Sequence, residues 1–146
     1  MPNWCYNKLT ITGPEADVQA IKSKAVGCCP WFKTDQTETE VLNFHSLVPV
    51  PEEVLKAGYE SAGCNWEKEN WGCKWGADDA KILDAWETCI IYEFYTAWSP
   101  PIEFLEKVAV AYPKLQVILE YEESGVGFKG IAKFQGQIHE DQCITL

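Results

Sequence analysis

Apolar and polar residues alternate from Asn3 to Thr12, with Cys5, Leu9 and Ile11 on one side and Trp4, Tyr6, Lys8 and Thr10 on the other. A period of two predicts a β-strand. Past Gly13-Pro14-Glu15 the apolar positions become Val18, Ile21 and Ala25, the spacing of one helix face, and Gly27 is placed to end that helix. The strongest apolar stretch runs from Cys89 to Trp98. Cys89, Ile91 and Ala97 fall on one face and Ile90, Tyr92, Phe94 and Trp98 on the other, so both faces need cover and the strand belongs at the centre of a sheet. Ser99 is expected to cap the helix that follows, with Pro100 in its first turn. Ile102, Leu105, Val108, Ala109 and Tyr112 supply that helix with an apolar face, up to Pro113.

Alternation returns at Leu115, Val117, Leu119 and Tyr121, with Gln116, Glu120 and Glu122 on the solvent side. A turn at Glu123-Ser124-Gly125 leads to a strand through Phe128, Gly130, Ala132 and Phe134. Gly136 marks another turn, and Ile138 to Ile144 can add an edge strand. The middle of the chain is less regular. Cys28 to Glu40 reads as an exposed loop whose only large apolar residues are Trp31 and Phe32. Asn43 to Val48 is expected as a short strand, and Pro51-Glu52-Glu53 opens a short helix that Gly58 stops. Gly63 to Ala77, with Trp66, Trp71 and Trp75, reads as a packed connection. It feeds a segment, Lys81 to Leu83, that pairs with the central strand across a turn at Ala85-Trp86-Glu87; one or two helical turns over Asp78–Trp86 are the alternative.

In order, this is the βαββαβ arrangement of an α+β, ferredoxin-like fold. The expectation is one domain over residues 1–146, an antiparallel sheet with two helices on one face, an insertion at roughly 49–78 and extra C-terminal strands within 126–146.

Charge narrows the function classes. The 22 acidic residues outweigh 12 basic ones for a net −10, and every basic residue is Lys. Arg is the side chain that forks onto phosphates and guanine edges, so its absence weighs against sequence-specific nucleic-acid reading. The acidity adds repulsion from any phosphate backbone. A solvated, solubilising surface explains it; an acidic face offered to a basic protein is the sharper reading. The seven Cys are irregularly spaced with no leader before them, which suits reduced thiols in a cytoplasm. No apolar run approaches the ~18 residues needed to span a bilayer, so no membrane partner is expected.

Four stretches also resemble a known family. Asn3-Trp4-Cys5-Tyr6-Asn7, Asn70-Trp71-Gly72-Cys73-Lys74-Trp75, Thr96-Ala97-Trp98-Ser99-Pro100-Pro101 and Tyr121 through Gly130 look like signatures of the YubB/Api-type ferredoxin-like domains of plasmids, phages and integrated islands. The resemblance runs from about Pro2 to Phe134. It implies a ferredoxin-like fold and a mobile-element origin, and it carries no catalytic residues with it.

Candidate chemistry is sparse. Gly125 to Gly130 spells G-x-G-x-x-G, but a dinucleotide site needs a helix directly after it, and here a strand pattern follows. His139-x-x-x-Cys143, with Cys28, Cys29, Cys64 and Cys73, is a conceivable zinc set, against the commoner reading of buried free thiols. His45 and His139 are the only imidazoles available to an enzyme. The favoured reading is a non-enzymatic protein without cofactor or metal that binds a host protein, as an inhibitor of a defence system of the anti-CRISPR or anti-restriction type. Partner contacts are placed at Trp31, Phe32, Glu120, Glu122 and Glu123, with no direct nucleic-acid binding. The alternatives are a small enzyme or zinc module using His45, His139 and cysteines, and a nucleic-acid-binding module.

Overall fold

The computed structural model describes residues 2–31 and 39–146. Strand β1 (Trp4–Thr12) is followed by α1 (Glu15–Lys24), α2 (Phe44–Leu47), α3 (Glu52–Ala57) and a π-helical turn, Tyr59–Gly63, that runs into α4 (Cys64–Asn70). Then come β2 (Lys74–Trp86), β3 (Cys89–Ala97), α5 (Ile102–Ala111), β4 (Gln116–Glu123), β5 (Phe128–Gln135) and β6 (Ile138–Thr145). The strands form one sheet in the order β2-β3-β1-β4-β5-β6, and every pairing is antiparallel. Without β5 and β6, the order β2-β3-β1-β4 with helices after β1 and β3 is the expected βαββαβ unit.

Register explains the core. Leu9 lies between Tyr92 and Leu119, and Ile11 between Ile90 and Val117. These residues, with Ala132 and Phe134 of β5, are buried beneath Val18 and Ile21 of α1 and Phe104, Leu105 and Val108 of α5. The opposite side of the sheet carries Tyr6, Lys8, Thr10, Glu93, Tyr95, Glu120 and Glu122, each half-buried or exposed. Here the expectation for β3 is corrected. Among the described residues its Ile91-Glu93-Tyr95 side has no covering layer and is shielded by neighbours such as Tyr6, whose ring centre lies 5.7 Å from that of Tyr95.

Three local expectations are also corrected. Asn43–Val48 is not a strand: the Asn43 carboxamide oxygen accepts the Ser46 N–H at 2.9 Å and starts the short helix α2. The second strand of the unit is therefore Lys74–Trp86, and the elaborated connection spans α2 to α4. Ser99 does not cap α5; its hydroxyl donates to the Gly72 carbonyl at 2.6 Å, and the helix begins at Ile102 after Pro101. Trp98 is not on a buried strand face but just past β3, 46% exposed, with a φ of 71°. The stop of α3 at Gly58, where φ is 96°, is as expected.

Candidate functional site

Helix α4 and the residues that flank it stack Gly63, Glu67 and Trp71 at four-residue spacing, and all three are buried. Trp71 packs edge-on against Phe44 and Trp66, each with ring centres 5.6 Å apart, and its indole donates to the Val48 carbonyl at 3.1 Å. Glu67 puts a carboxylate on this otherwise apolar face with 1% of its surface exposed. Two N–H groups meet it: the Trp31 indole at 3.0 Å on Oε2 and the Trp75 backbone at 2.8 Å on Oε1. Burial pushes the Glu67 carboxyl above its ordinary range, and these donors pull it only part of the way back. No described cation pairs with it.

Trp31 in turn stands edge-on to Tyr59 at 5.3 Å. These rings, with Phe44, Trp71 and Trp75, wall a cavity of about 520 Å³ that is also lined by Glu40, Glu60 and Glu67 and, among the described residues, by no lysine. Glu40 accepts the Asn43 side-chain N–H at 3.0 Å, and burial pushes its carboxyl up as well. The buried Tyr59 hydroxyl lies near Glu67 and Cys64 but closes a hydrogen bond with neither. Burial, then the Glu67 charge, drives its acidity well below that of an ordinary phenol.

Trp75 links this cavity to the uncovered sheet face. Its φ is 74°, a left-handed conformation in which a bulky residue is strained, and the Glu67 carboxylate holds its N–H there. The indole is 51% exposed, lies 6.3 Å from Trp4 and has the Lys74 ammonium 4.3 Å above it. From Trp4 the uncovered face continues through Tyr6, in register with Glu122 and Tyr95, to Lys8, in register with Glu120 and Glu93. Tyr6 donates to Glu93 at 2.9 Å, and Lys8 approaches Glu120 at 4.0 Å.

The residues singled out from sequence do not form one site. Trp31 is half-buried in the cavity wall rather than loose in a polar loop, and Phe32 lies outside the described residues. Glu120 and Glu122 share the uncovered face as expected. Glu123 does not belong with them: it is 1% exposed, and its two oxygens accept the Gly125 and Val126 N–H groups at 2.6 and 2.8 Å. It braces the β4–β5 turn.

His45 Nδ1 accepts the Val50 N–H at 2.9 Å, which fixes the tautomer, and burial lowers its basicity. His139 lies far from it in the fold, on β6, stacked on Phe134 and 3.5 Å from Glu106. The His139 and Cys143 pair is separated by four residues of strand, roughly 13 Å, whereas the same spacing converges on a helix. Among the described residues no three His, Cys, Asp or Glu side chains gather as a metal site. Sequence reasoning missed Glu67, Glu40 and Tyr59. The signal for Glu67 was its place four residues before Trp71, on the face a short helix must bury.

A β2-β3-β1-β4 sheet with its helices on one side and the other side uncovered defines an α+β protein of the ferredoxin-like class. Residues 70–145, just over half of the chain, match the family model for the ferredoxin-like domain in Api92-like proteins, and the chain belongs to that family. It is also similar to the crystal structure of protein Api92 from Yersinia pseudotuberculosis, with a TM-score of 0.74 over 100% of this chain and 98% of that one at 9% identity. That likeness is one of fold. No curated protein matches the chain.

Proposed function

We propose that this chain is a non-enzymatic, cytoplasmic accessory protein of a mobile element that binds a host protein and blunts a defence effector of the restriction or CRISPR kind. The observation that carries the binding reading is the exposed aromatic and acidic surface on the uncovered side of the sheet. Trp4 and Trp75 lie side by side in solvent, Trp75 in a strained backbone conformation braced by a buried carboxylate. Large exposed aromatics on a rigid support are typical of interface hot spots. Glu120 and Glu122 extend the surface, and the net charge of −10 suits a partner that holds nucleic acid in a basic groove. Phage plating and plasmid entry in bacteria with an active restriction or CRISPR system test the proposal. The wild type should relieve the defence, and a Trp4→Ala, Trp75→Ala double variant that still folds should not. Intact defence in every strain, or salt-sensitive binding of the protein to DNA or RNA itself, would overturn it.

A further inference from the structure

The cavity beside α4 has a chemistry distinct from the sheet face, and the inference drawn from it stands independently of the defence reading. We propose that it is a binding site for an organic cation with an apolar stem, an alkylammonium or guanidinium group, held between the aromatic walls with its charge against Glu67.

Size is the first argument, since about 520 Å³ falls within the usual range for small-ligand sites. Sign is the second. Three glutamates line the cavity, and among the described residues its basic side is limited to the His45 imidazole, whose basicity burial lowers, so the sign of the lining favours a cation over an anion. The walls are the third. Trp31, Tyr59, Trp71 and Trp75 line it with aromatic rings, the side chains that attract positive charge, and the Lys74 ammonium lies 4.3 Å over the Trp75 ring.

The hydrogen-bond inventory then separates a cation from a neutral apolar guest. Each Glu67 oxygen accepts one N–H and retains capacity for another donor. The Tyr59 hydroxyl, buried and unpartnered among the described residues, can accept one too. An ammonium brings three donors and a guanidinium five, whereas an alkyl chain would exclude water from these oxygens without offering a further donor. A metal ion fits less well, because no three ligating side chains converge among the described residues.

The cation could be a free small amine or a basic side chain of a peptide, and the test separates the two. Nα-acetyl-lysine methylamide and Nα-acetyl-arginine methylamide are titrated into ¹⁵N-labelled protein while the Trp indole and Trp75 backbone N–H resonances are followed. Nα-acetyl-norleucine methylamide is the neutral control, and a glycine-serine peptide containing one lysine is the second arm. The cations should shift the Trp31 indole and Trp75 amide signals, and norleucine should not. Tyr59→Phe should keep the wild-type melting temperature and bind several-fold more weakly, and Glu67→Gln should lose roughly tenfold or more, as for a hydrogen bond to a charged group. If Glu67→Gln does not fold, Glu60→Gln and Tyr59→Phe serve as the readouts. Equal affinity of the capped amino acid and the peptide supports a free cation, and tighter binding of the peptide supports a basic segment of a partner. Equal shifts with norleucine, no shift with any cation up to its solubility limit, or cation binding unchanged in every folded variant would overturn the proposal.

Discussion

Glu122 and Glu123 are adjacent acids on β4, yet replacing each by alanine should have very different consequences. Glu122 is exposed on the uncovered face, whereas Glu123 is buried and receives two backbone N–H groups from the turn that joins β4 to β5. A hydrogen bond to a charged group contributes about 1.5–3 kcal/mol net. The two bonds share one carboxylate, and Gly125 and Val126 are exposed enough for water to replace part of what is lost. The expected cost of Glu123→Ala is therefore about 2–3 kcal/mol, less than the sum of two separate bonds. For a chain of this length that lowers the melting temperature by about 5–10 °C. Glu122→Ala should stay within about 0.5 kcal/mol of wild type, as surface changes usually do. Urea unfolding followed by Trp fluorescence measures both, with an unchanged slope confirming that the denatured states are comparable. Equal midpoints for the two variants would refute the claim that Glu123 braces the turn.

Trp71→Ala should cost about 3–5 kcal/mol because it empties the packed junction of Phe44 and Trp66, while Trp98→Ala should cost less than about 1 kcal/mol; similar urea midpoints would contradict this placement. Glu67 keeps its proton to higher pH in the folded chain than in the unfolded one, so the folded state binds more protons and stability should fall as pH rises from about 4 through the raised value. Glu67→Gln should flatten that slope, with Glu40 leaving a residual of the same sign; an unchanged slope in a series of denaturation midpoints would assign the effect elsewhere. Thiol labelling in mildly alkaline buffer should modify exposed Cys28 and Cys143 first, while Cys5, buried and pushed up to about 12, waits for unfolding. Equal labelling rates for Cys5 and Cys143, read by mass spectrometry, would show that the β1 end of the sheet opens.

The regular parts of the fold were legible because one physical signal dominates them. β1, β4 and β5 each bury alternate residues, and α5 buries one face, so apolar periodicity reports both structure and burial. Between Phe44 and Asn70 only α3 was legible, because Pro51 and Gly58 bracket it; α2 and α4 are too short for a period to accumulate, and Asn43 could be read as either a strand residue or a cap. The acidic residues show the same limit. Glu120 and Glu122 follow the strand alternation, but Glu123 ends a strand at a turn whose N–H groups draw it inward, and sequence spacing does not encode that. Glu67 sits among Lys68, Glu69 and Asn70, so its neighbours suggest solvent; only the stacking against Trp71 shows otherwise. The strand at Cys89–Ala97 was rightly placed inside the sheet, but its apolar second face proved a shared aromatic surface rather than a covered one.

The two edges of the sheet are guarded differently. β2 breaks register with its neighbour three times, which makes it a poor template for another strand. β6 pairs evenly with β5 along its whole length, exposes all eight of its residues and carries Ile138 and Ile144 near its ends. Glu140 and Asp141, at its middle, are what a second such edge would meet on approach. A buffer near the isoelectric point, about 4.6, removes the net repulsion between molecules, and the evenly paired β6 edge then has less charge to keep a second strand away.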